Sequence, residues 1–207
     1  MVFTAAFTGM RWGELAGLAA ADCHLDDGYL RIDGSKGALH EVGGRVWRGP
    51  PKIRAAVRRI DLPSFLVDLL AEAVDVSGNE EQVVFSAPEG GVLRRSNFAR
   101  RVWCPACGGH PAGATGTGMP ASGEPAEEAV PPVVAGAVFH GLRHHHKAVL
   151  EELDVPEVLV CERMGHRMGG VQGRYSHVTE QMRRRLNSGL QRRYAGLAKT
   201  TRAGGRR

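Results

Sequence analysis

Long apolar runs and a leader sequence are both missing from this chain of 207 residues. No stretch approaches the ~20 consecutive apolar residues that a membrane-spanning helix needs. The amino terminus also lacks the basic and then apolar pattern of a secretory signal peptide. The sequence therefore predicts a globular protein that stays in the cytoplasm, and its length suits one domain with appendages.

Cysteine is scarce, and a cytoplasmic location argues against disulfide bonds. The four cysteines are Cys23, Cys104, Cys107 and Cys161. Cys104 and Cys107 have the spacing of half a zinc site, with His110 close in sequence, but no second CxxC or HxxxH pair follows at zinc-finger distance. Two interpretations of this pair stay open, namely reduced thiols at the edge of a loop or a small zinc knuckle.

Acidic residues are absent from two segments in which basic residues concentrate. The segment from Arg45 to Arg59 holds six basic side chains and no acid, and the chain after Glu180 holds nine basic side chains and no acid. Local clusters of this kind suit a polyanion such as DNA. Residues 199–207, at the end of the second segment, are expected to form a basic disordered tail.

Lysine and arginine are in turn absent from the segment between Cys104 and Ala137. Seven glycines and six prolines fall within these 34 residues. Such a composition cannot pack a core of its own, so the segment 104–137 is predicted to be a flexible loop.

The remaining pattern predicts a mixed fold, mainly α-helical with a small antiparallel β-sheet. The spacing of apolar residues predicts helices at 4–21 with an interruption at 8–9, from residue 63 onward, and at 96–103, 142–153, 156–165, around 175 and at 180–194. Alternating or continuous apolar residues predict short strands at 29–32, 42–47 and 57–62, and a short buried strand or extended piece at 83–85.

Three segments contain side chains that suit the cleavage of a phosphodiester bond. Arg11 lies in the first, His140-Gly-Leu-Arg143-His144 is the second, and the third runs from Gly165-His166 to Tyr175. Cleavage needs a nucleophile, a proton donor for the leaving oxygen and cations around the five-coordinate phosphorus. Arginine suits the last task because its planar fork gives two parallel hydrogen bonds to phosphate oxygens. Two arginines, two histidines and a tyrosine would meet these needs without a metal ion or another cofactor.

These segments resemble those of a known family, the tyrosine recombinases or phage integrases. The first segment is similar to the first box of that family, and the other two are similar to its second box. That box pairs an HxLRH element with a GH element and with a tyrosine nine residues after the GH histidine, which is the spacing from His166 to Tyr175. Residues 51–63 are similar to the family's lysine-bearing β-hairpin. The resemblance covers residues 4–194, with the segments in the family's order.

The resemblance implies a fold, a reaction and a set of partners. The fold would be that of a tyrosine-recombinase catalytic domain over residues 1–198, without the first helix of that domain and without the separate N-terminal core-binding domain. The reaction would be site-specific DNA recombination through a 3′-phosphotyrosine intermediate. The partners would be double-stranded DNA and other copies of the protein in a synaptic tetramer. The implied catalytic residues are Arg11, Lys52, His140, Arg143, His166 and Tyr175.

Each of these residues has a role in the family pattern. The two arginines clamp the scissile phosphate, and His166 donates a hydrogen bond to a non-bridging oxygen. Tyr175 attacks phosphorus and leaves a free 5′-hydroxyl, while His140 acts as a base or as an orienting group. Lys52 protonates the departing 5′ oxygen, and Lys36 on a neighbouring turn stays open as the alternative acid. Glu14 is expected to hold the region of the first arginine in place.

Two other functions stay open at this point. His140 and His144, at positions i and i+4, could share a metal ion in a metal-dependent phosphodiesterase, although no nearby carboxylate completes an octahedral site. A recombinase that has lost its activity would instead be a non-catalytic DNA-binding remnant. The intact set of catalytic residue types argues against this second alternative.

Overall fold

The computed structural model describes five stretches of the chain, at 1–77, 82–109, 131–134, 136–169 and 177–204. The helices are α1 (Val2–Thr8), α2 (Trp12–Ala16), α3 (Ser64–Ser77), α4 (Arg95–Phe98), α5 (Cys104–Gly108), α6 (Gly141–Glu152), α7 (Glu157–Met164) and α8 (Glu180–Gly204). A π-helical turn (Ala99–Trp103) joins α4 to α5. The strands are β1 (Cys23–His24), β2 (Tyr29–Ile32), β3 (Ala38–Val42), β4 (Arg45–Gly49) and β5 (Arg58–Asp61).

The strands form two small antiparallel sheets. One sheet has the order β1-β2-β5, and the other is the hairpin β3-β4. Tyr29 pairs with Asp61 and Ile32 with Arg58 in the first sheet. Residues 33–57, which include the hairpin, are therefore one long excursion between the neighbouring strands β2 and β5. The predicted fold class, mainly helical with a small antiparallel sheet component, is confirmed.

The strand predicted at 42–47 is wrong, because a chain reversal occupies its centre. β3 ends at Val42 and β4 begins at Arg45, and these two residues pair with each other. Gly43 and Gly44 have φ of 56° and 78°. Tight hairpin turns need positive φ at both central residues, and glycine adopts this conformation without steric penalty. The Gly-Gly pair is the local signal for the turn, and it outweighs the apolar residues on either side.

Two helices extend beyond their predicted ends. The helix predicted at 96–103 begins at Arg95 and continues through the π-helical turn and α5 to Gly108, so the first residues of the predicted 104–137 loop are helical. Trp103 Nε1 donates to Ala137 O at 2.8 Å, which fastens the two ends of that segment together. α8 continues past the predicted end near Tyr194 as far as Gly204, into the predicted tail at 199–207. Residues 110–130 and 135 of that loop, and the helix predicted around 175, lie outside the described residues.

The hydrophobic core joins α1, α3, α6, α7 and α8 to the three-stranded sheet. Its most deeply buried side chains come from all parts of the chain and include Leu15, Leu30, Leu66, Leu150 and Leu190. The consequence for the site is that three helix ends converge, since the end of α1, the start of α6 and the end of α7 are brought together by this packing.

The turn that ends α1 allows unusually close packing at this convergence. Gly9 has φ of 66°, and an added Cβ would lie 2.7 Å from His146 Cδ2 and 2.8 Å from Met164 Sδ. We expect Gly9→Ala to lower the free energy of unfolding by about 2–4 kcal/mol, because a left-handed non-glycine residue and overpacking both destabilise. Denaturant-induced unfolding measures this change.

Gly43→Ala is the matched control for this prediction. Gly43 has φ of 56°, and a Cβ added there would meet no other atom within 4 Å. It therefore reports the backbone strain alone, about 1–2 kcal/mol. Equal losses for the two variants would contradict the close packing of His146 and Met164 against Gly9.

Candidate active site

Arg11 is fixed by the helix that it precedes. It is the N-cap residue of α2, and its backbone N–H donates to Glu14 Oε2 at 2.9 Å. Its guanidinium Nη1 donates to Glu14 Oε1 at 3.0 Å, and the Arg11 side chain keeps 30% exposure. A carboxylate in the first turn is also favoured by the helix dipole. The arrangement holds the base of the arginine still while leaving part of the guanidinium accessible.

Glu14 is held in turn by a second, buried arginine. Arg58 Nη1 and Nη2 donate to the two Glu14 carboxylate oxygens at 3.1 and 3.0 Å, with side-chain exposures of only 2% and 3%. Burial alone would raise the pKa of Glu14, but the charge and hydrogen bonds of Arg58, together with those of Arg11, outweigh it and lower the pKa. Glu14 is therefore an ionised support for Arg11, as expected from the sequence.

Three successive carbonyl groups at the end of α7 gather three arginine side chains. The acceptor oxygens belong to Arg163, Met164 and Gly165, and their donors are, in that order, Arg58 Nε, Arg143 Nη2 and Arg11 Nη2. The last carbonyls of a helix have no intrahelical donor, and cations are favoured beside them. The end of α7 thus brings the two predicted phosphate clamps, Arg11 and Arg143, to one place.

Arg143 and His166 are in direct contact. Arg143 Nη2 lies 2.9 Å from His166 Nε2, and Arg143 Nη1 donates to Gly9 O. A guanidinium can only donate, so His166 Nε2 accepts, and the proton of the neutral ring is on Nδ1. Partial burial of the ring, followed by the charges of Arg143 and Arg11, lowers the pKa of His166.

Arg11 and Arg143 give the cluster two positive charges against the one carboxylate of Glu14, which also pairs with Arg58. Burial and then the charge of Arg11 lower the pKa of Arg143 to about 10, although Glu14 acts in the opposite direction. Arg143 therefore remains charged at neutral pH. A phosphate group beside the two arginines would add negative charge to the cluster, and guanidinium groups bind phosphate oxygens through two parallel hydrogen bonds.

His140 faces a groove that begins at Arg11. It is the exposed residue immediately before α6, and with Arg11 it lines a groove of about 1010 Å³ whose walls are β3, the β3–β4 turn and the start of α4. Partial burial, followed by the charges of His144 and Arg143, lowers the pKa of His140. The imidazole is therefore mainly neutral at pH 7 and able to accept a proton.

Among the described residues, no hydrogen bond or ion pair links Lys52 to this cluster. Lys52 is exposed in the bend between β4 and a short 3₁₀ turn (Arg54–Ala56). Lys36, the alternative acid, is also exposed, and its backbone N–H donates to Asp33 Oδ1. Both lysines belong to the excursion between β2 and β5. Tyr175 lies outside the described residues.

Half of the basic cluster at 45–59 is engaged in ion pairs. Arg58 is buried against Glu14, Arg48 lies 3.7 Å from Asp22, and Arg59 donates to Asp61 at 2.7 Å. The exposed members of the cluster outside these ion pairs are Arg45, Lys52 and Arg54. The surface that the cluster offers to a polyanion is accordingly smaller than its six charges indicate.

Sequence reasoning missed the buried polar residues beneath the site. His146 is 0% exposed and Arg163 is 3% exposed. Signals for both were present, because His146 shares a helical face with the buried Val149 and Leu150, and Arg163 shares one with the buried Leu159 and Val160. Arg58 had a similar signal, since it alternates with the buried Ile60 along β5.

Two absences hold for the described residues only. In that part of the chain, no group of three or more His, Cys, Asp and Glu side chains is placed to hold a metal ion. Cys104 is exposed and Cys107 half-buried, while His110 lies outside the described part, so the zinc-knuckle hypothesis stays a prediction. Within the same stretches, no helix combines the length and apolar composition needed to cross a membrane.

This chain resembles known proteins in sequence and in fold. The chain matches no family model. It is 25% identical over 197 residues to the integrase of Staphylococcus phage L54a, an alignment that covers 90% of this chain and 49% of that integrase.

The fold is similar to that of the Tn1549 transposon integrase. A structure of that integrase with transposon right end DNA gives a TM-score of 0.58 at 17% identity, covering 88% of this chain and 55% of the other. A second structure of it, with circular intermediate DNA, gives a TM-score of 0.55 at 17% identity, covering 88% and 56%. The chain spans about half the length of the relatives that it matches.

Proposed function

Because this chain has the catalytic-domain fold of the tyrosine recombinases, we propose that it cleaves and rejoins DNA at specific sites through a 3′-phosphotyrosine at Tyr175. The observation that supports this most strongly is the cluster at the end of α7, where Arg11, Arg143 and His166 meet. The catalytic domain would comprise residues 1–198, and the protein would act in the cytoplasm.

The cluster supports a transfer reaction at phosphorus. In the proposed first step the Tyr175 oxygen attacks phosphorus, a P–O bond to tyrosine forms, and the P–O bond to the 5′ oxygen breaks. Negative charge on the non-bridging oxygens grows as phosphorus becomes five-coordinate, and the two guanidiniums stabilise that charge. His166 can donate to one of these oxygens once Arg143 has turned towards the phosphate and the ring proton has moved from Nδ1 to Nε2.

Two proton transfers complete the step. The tyrosine hydroxyl must lose its proton, and His140 is proposed to accept or orient it because its pKa is lowered and its ring faces the groove beside Arg11. The departing 5′ oxygen must gain a proton, for which Lys52 is proposed. Rejoining is the reverse reaction, in which a 5′-hydroxyl attacks the phosphotyrosine and releases the tyrosine.

Double-stranded DNA and further copies of the chain are the proposed partners. The Tn1549 integrase, which has the same fold, has been solved with DNA. Arg45, Lys52 and Arg54 are exposed basic side chains of the excursion between β2 and β5. Exchange of strands between two DNA sites needs four cleavages, which is the reason for proposing a synaptic tetramer.

The proposal predicts a covalent protein–DNA adduct that forms without metal ions. The probe is a pool of nicked duplexes of randomised sequence, in which cleavage near the nick releases a short fragment and prevents rejoining. Denaturing gels should show the adduct at equal levels with and without EDTA, because arginines stabilise the charge that metal ions stabilise in many nucleases. Sequencing the adducts would also identify the preferred site.

The alternatives give different results with the same probe. Cleavage that leaves no adduct, disappears in EDTA and returns with magnesium or manganese would favour a metal-dependent phosphodiesterase. Retention of the duplexes with neither cleavage nor adduct would favour a non-catalytic DNA-binding remnant. Either result would contradict the proposed function.

A further inference from the structure

A single buried arginine of α7 connects three other elements of the fold. Arg163 Nη2 donates to Phe7 O of α1 at 2.8 Å, Nη1 to Asp61 O of β5 at 3.0 Å, and Nε to His146 Nε2 of α6 at 3.0 Å. All three acceptors are neutral groups. Burial lowers the pKa of Arg163 to about 10, so the residue remains a cation at neutral pH. A buried cation whose hydrogen-bond acceptors are all neutral is costly, and the charge of Asp61 offsets part of that cost.

His146 is bound into the same arrangement by both ring nitrogens. Its Nδ1 lies 3.0 Å from Ala6 O, and its Nε2 lies 3.0 Å from Arg163 Nε. Because Arg163 Nε only donates, Nε2 accepts and the ring proton is on Nδ1. Burial and then the charge of Arg163 lower the pKa of His146 well below its usual value. The ring is thus a neutral bridge between Arg163 and α1.

The pair lies next to both residues whose carbonyls hold Arg143. The His146 ring packs against Gly9, leaving no room for a side chain, and Gly9 O accepts from Arg143 Nη1. Arg163 directly precedes Met164, whose carbonyl accepts from Arg143 Nη2. His146 therefore lies next to Gly9, and Arg163 next to Met164. The hydrogen bond between His146 and Arg163 links the end of α1 to the end of α7.

We propose that His146 and Arg163 are positioning residues for the recombination reaction. The pair sets the separation of the Gly9 and Met164 carbonyls, and so holds the Arg143 guanidinium beside His166, from where it turns to the phosphate. That Arg143 receives a DNA phosphate rests on the proposed function, whereas the contacts by which His146 and Arg163 hold Arg143 do not. A role only in filling the core would predict lost stability with an unchanged site.

The first test needs no DNA and therefore does not depend on the proposed function. The titration of each histidine ring is followed by NMR in the full chain, with His166 assigned from the variant His166→Gln. In the wild type the midpoint of His166 should lie below that of an exposed histidine, because Arg143 is held at its Nε2. In Arg163→Lys the midpoint should rise towards the ordinary value of about 6.5, since a lysine cannot reach all three acceptors.

Controls separate a local effect from a general one. Arg193→Lys alters an arginine of α8 that bonds Glu152 away from the end of α7, and it should leave the His166 titration unchanged. His24, on β1 and stacked on Tyr29, should titrate identically in every variant. An Arg163→Lys protein that is folded and keeps the wild-type midpoint of His166 would overturn the positioning role.

A double variant keeps the test decisive if the single variant does not fold. His146→Phe with Arg163→Leu replaces the polar pair by apolar side chains, an exchange that often preserves stability. We expect this protein to fold and to show the raised His166 midpoint. Where the wild type forms the covalent adduct, the double variant should form it about 100-fold more slowly, as for a misplaced catalytic group, with DNA affinity nearly unchanged.

The histidine titrations and the measurement of adduct formation give distinguishable outcomes. A wild type that forms no adduct would contradict the proposed function, and the titrations would still decide the positioning role. A double variant that keeps both the wild-type midpoint and the wild-type rate of adduct formation would show that the pair only fills the core, and would overturn the inference.

Discussion

Lys52→Ala is expected to lose strand cleavage on ordinary DNA and to regain nearly all of it when sulfur replaces the bridging 5′ oxygen. An alkoxide is a poor leaving group, so a donor must deliver a proton as the P–O bond breaks, and losing such a donor lowers the rate about 10²–10⁴-fold. A thiolate leaves without a proton and makes the donor unnecessary. The measurement is the rate of adduct formation on the two substrates.

Two further variants complete this experiment. Arg143→Ala should stay impaired on both substrates, because charge on the non-bridging oxygens still needs stabilisation. Lys36→Ala tests the other exposed lysine of the β2–β5 excursion. Rescue by sulfur of Lys36→Ala and not of Lys52→Ala would make Lys36 the acid. If neither lysine variant is rescued, both lysine assignments fail and His140 becomes the next residue to test.

Glu14→Leu is expected to lower the free energy of unfolding by about 3–5 kcal/mol, because it leaves the buried Arg58 charge without its partner. Arg58 and Glu14 have side-chain exposures of 2% and 3% and share two hydrogen bonds. The variant should also lose adduct formation, since Glu14 holds both the backbone and the guanidinium of Arg11. Denaturant-induced unfolding measures the stability.

Two controls test the physical reason for that loss. The double variant Glu14→Leu/Arg58→Met removes both charges, and it should recover much of the stability while adduct formation stays low. Glu151→Leu removes an exposed partner of Lys147, where the pair has side-chain exposures of 51% and 64%, and should change stability by less than about 1 kcal/mol. Equal losses for Glu14→Leu and Glu151→Leu would contradict a buried, charge-dependent support for Arg11.

The sequence motifs predicted which side chains form the site, but not the contacts that hold them together. Arg11, Arg143 and His166 were predicted from residue type and spacing, and the structure brings them together. The way in which they meet could not be read from the motifs, because it depends on carbonyls of residues 9, 164 and 165. Backbone acceptors leave no trace in residue identity, and their convergence results from the packing of α1 against α6 and α7.

Errors in the fold prediction have local physical causes. The strand prediction at 42–47 relied on the apolar residues beside Gly43-Gly44. It overlooked the turn that the Gly-Gly pair itself indicates. At α5 the helix continues through Cys-Pro-Ala-Cys-Gly, a poor helix-forming sequence, where Trp103 fastens the segment to Ala137. Such tertiary contacts override local propensity and are invisible to it.

Charge patterns were the least reliable guide to function. The cluster at 45–59 indicated a DNA-facing surface, but Arg58 points into the core and supports Glu14. The alternation of Arg58 with Ile60 along one strand face contained this information. His146 and Arg163 likewise lie among the buried apolar positions of their helices, and their contact with each other results from the packing of α6 against α7.

The central claim, that Tyr175 is the nucleophile, is tested most directly by locating the bond in the adduct. Nuclease digestion and mass spectrometry of the adduct peptides should find a nucleotide joined through its 3′-phosphate to Tyr175. Tyr175→Phe should bind DNA nearly as well as the wild type, since only the hydroxyl is removed, and should form no adduct. A phosphate bond to a different residue, or wild-type levels of adduct from Tyr175→Phe, would contradict the account.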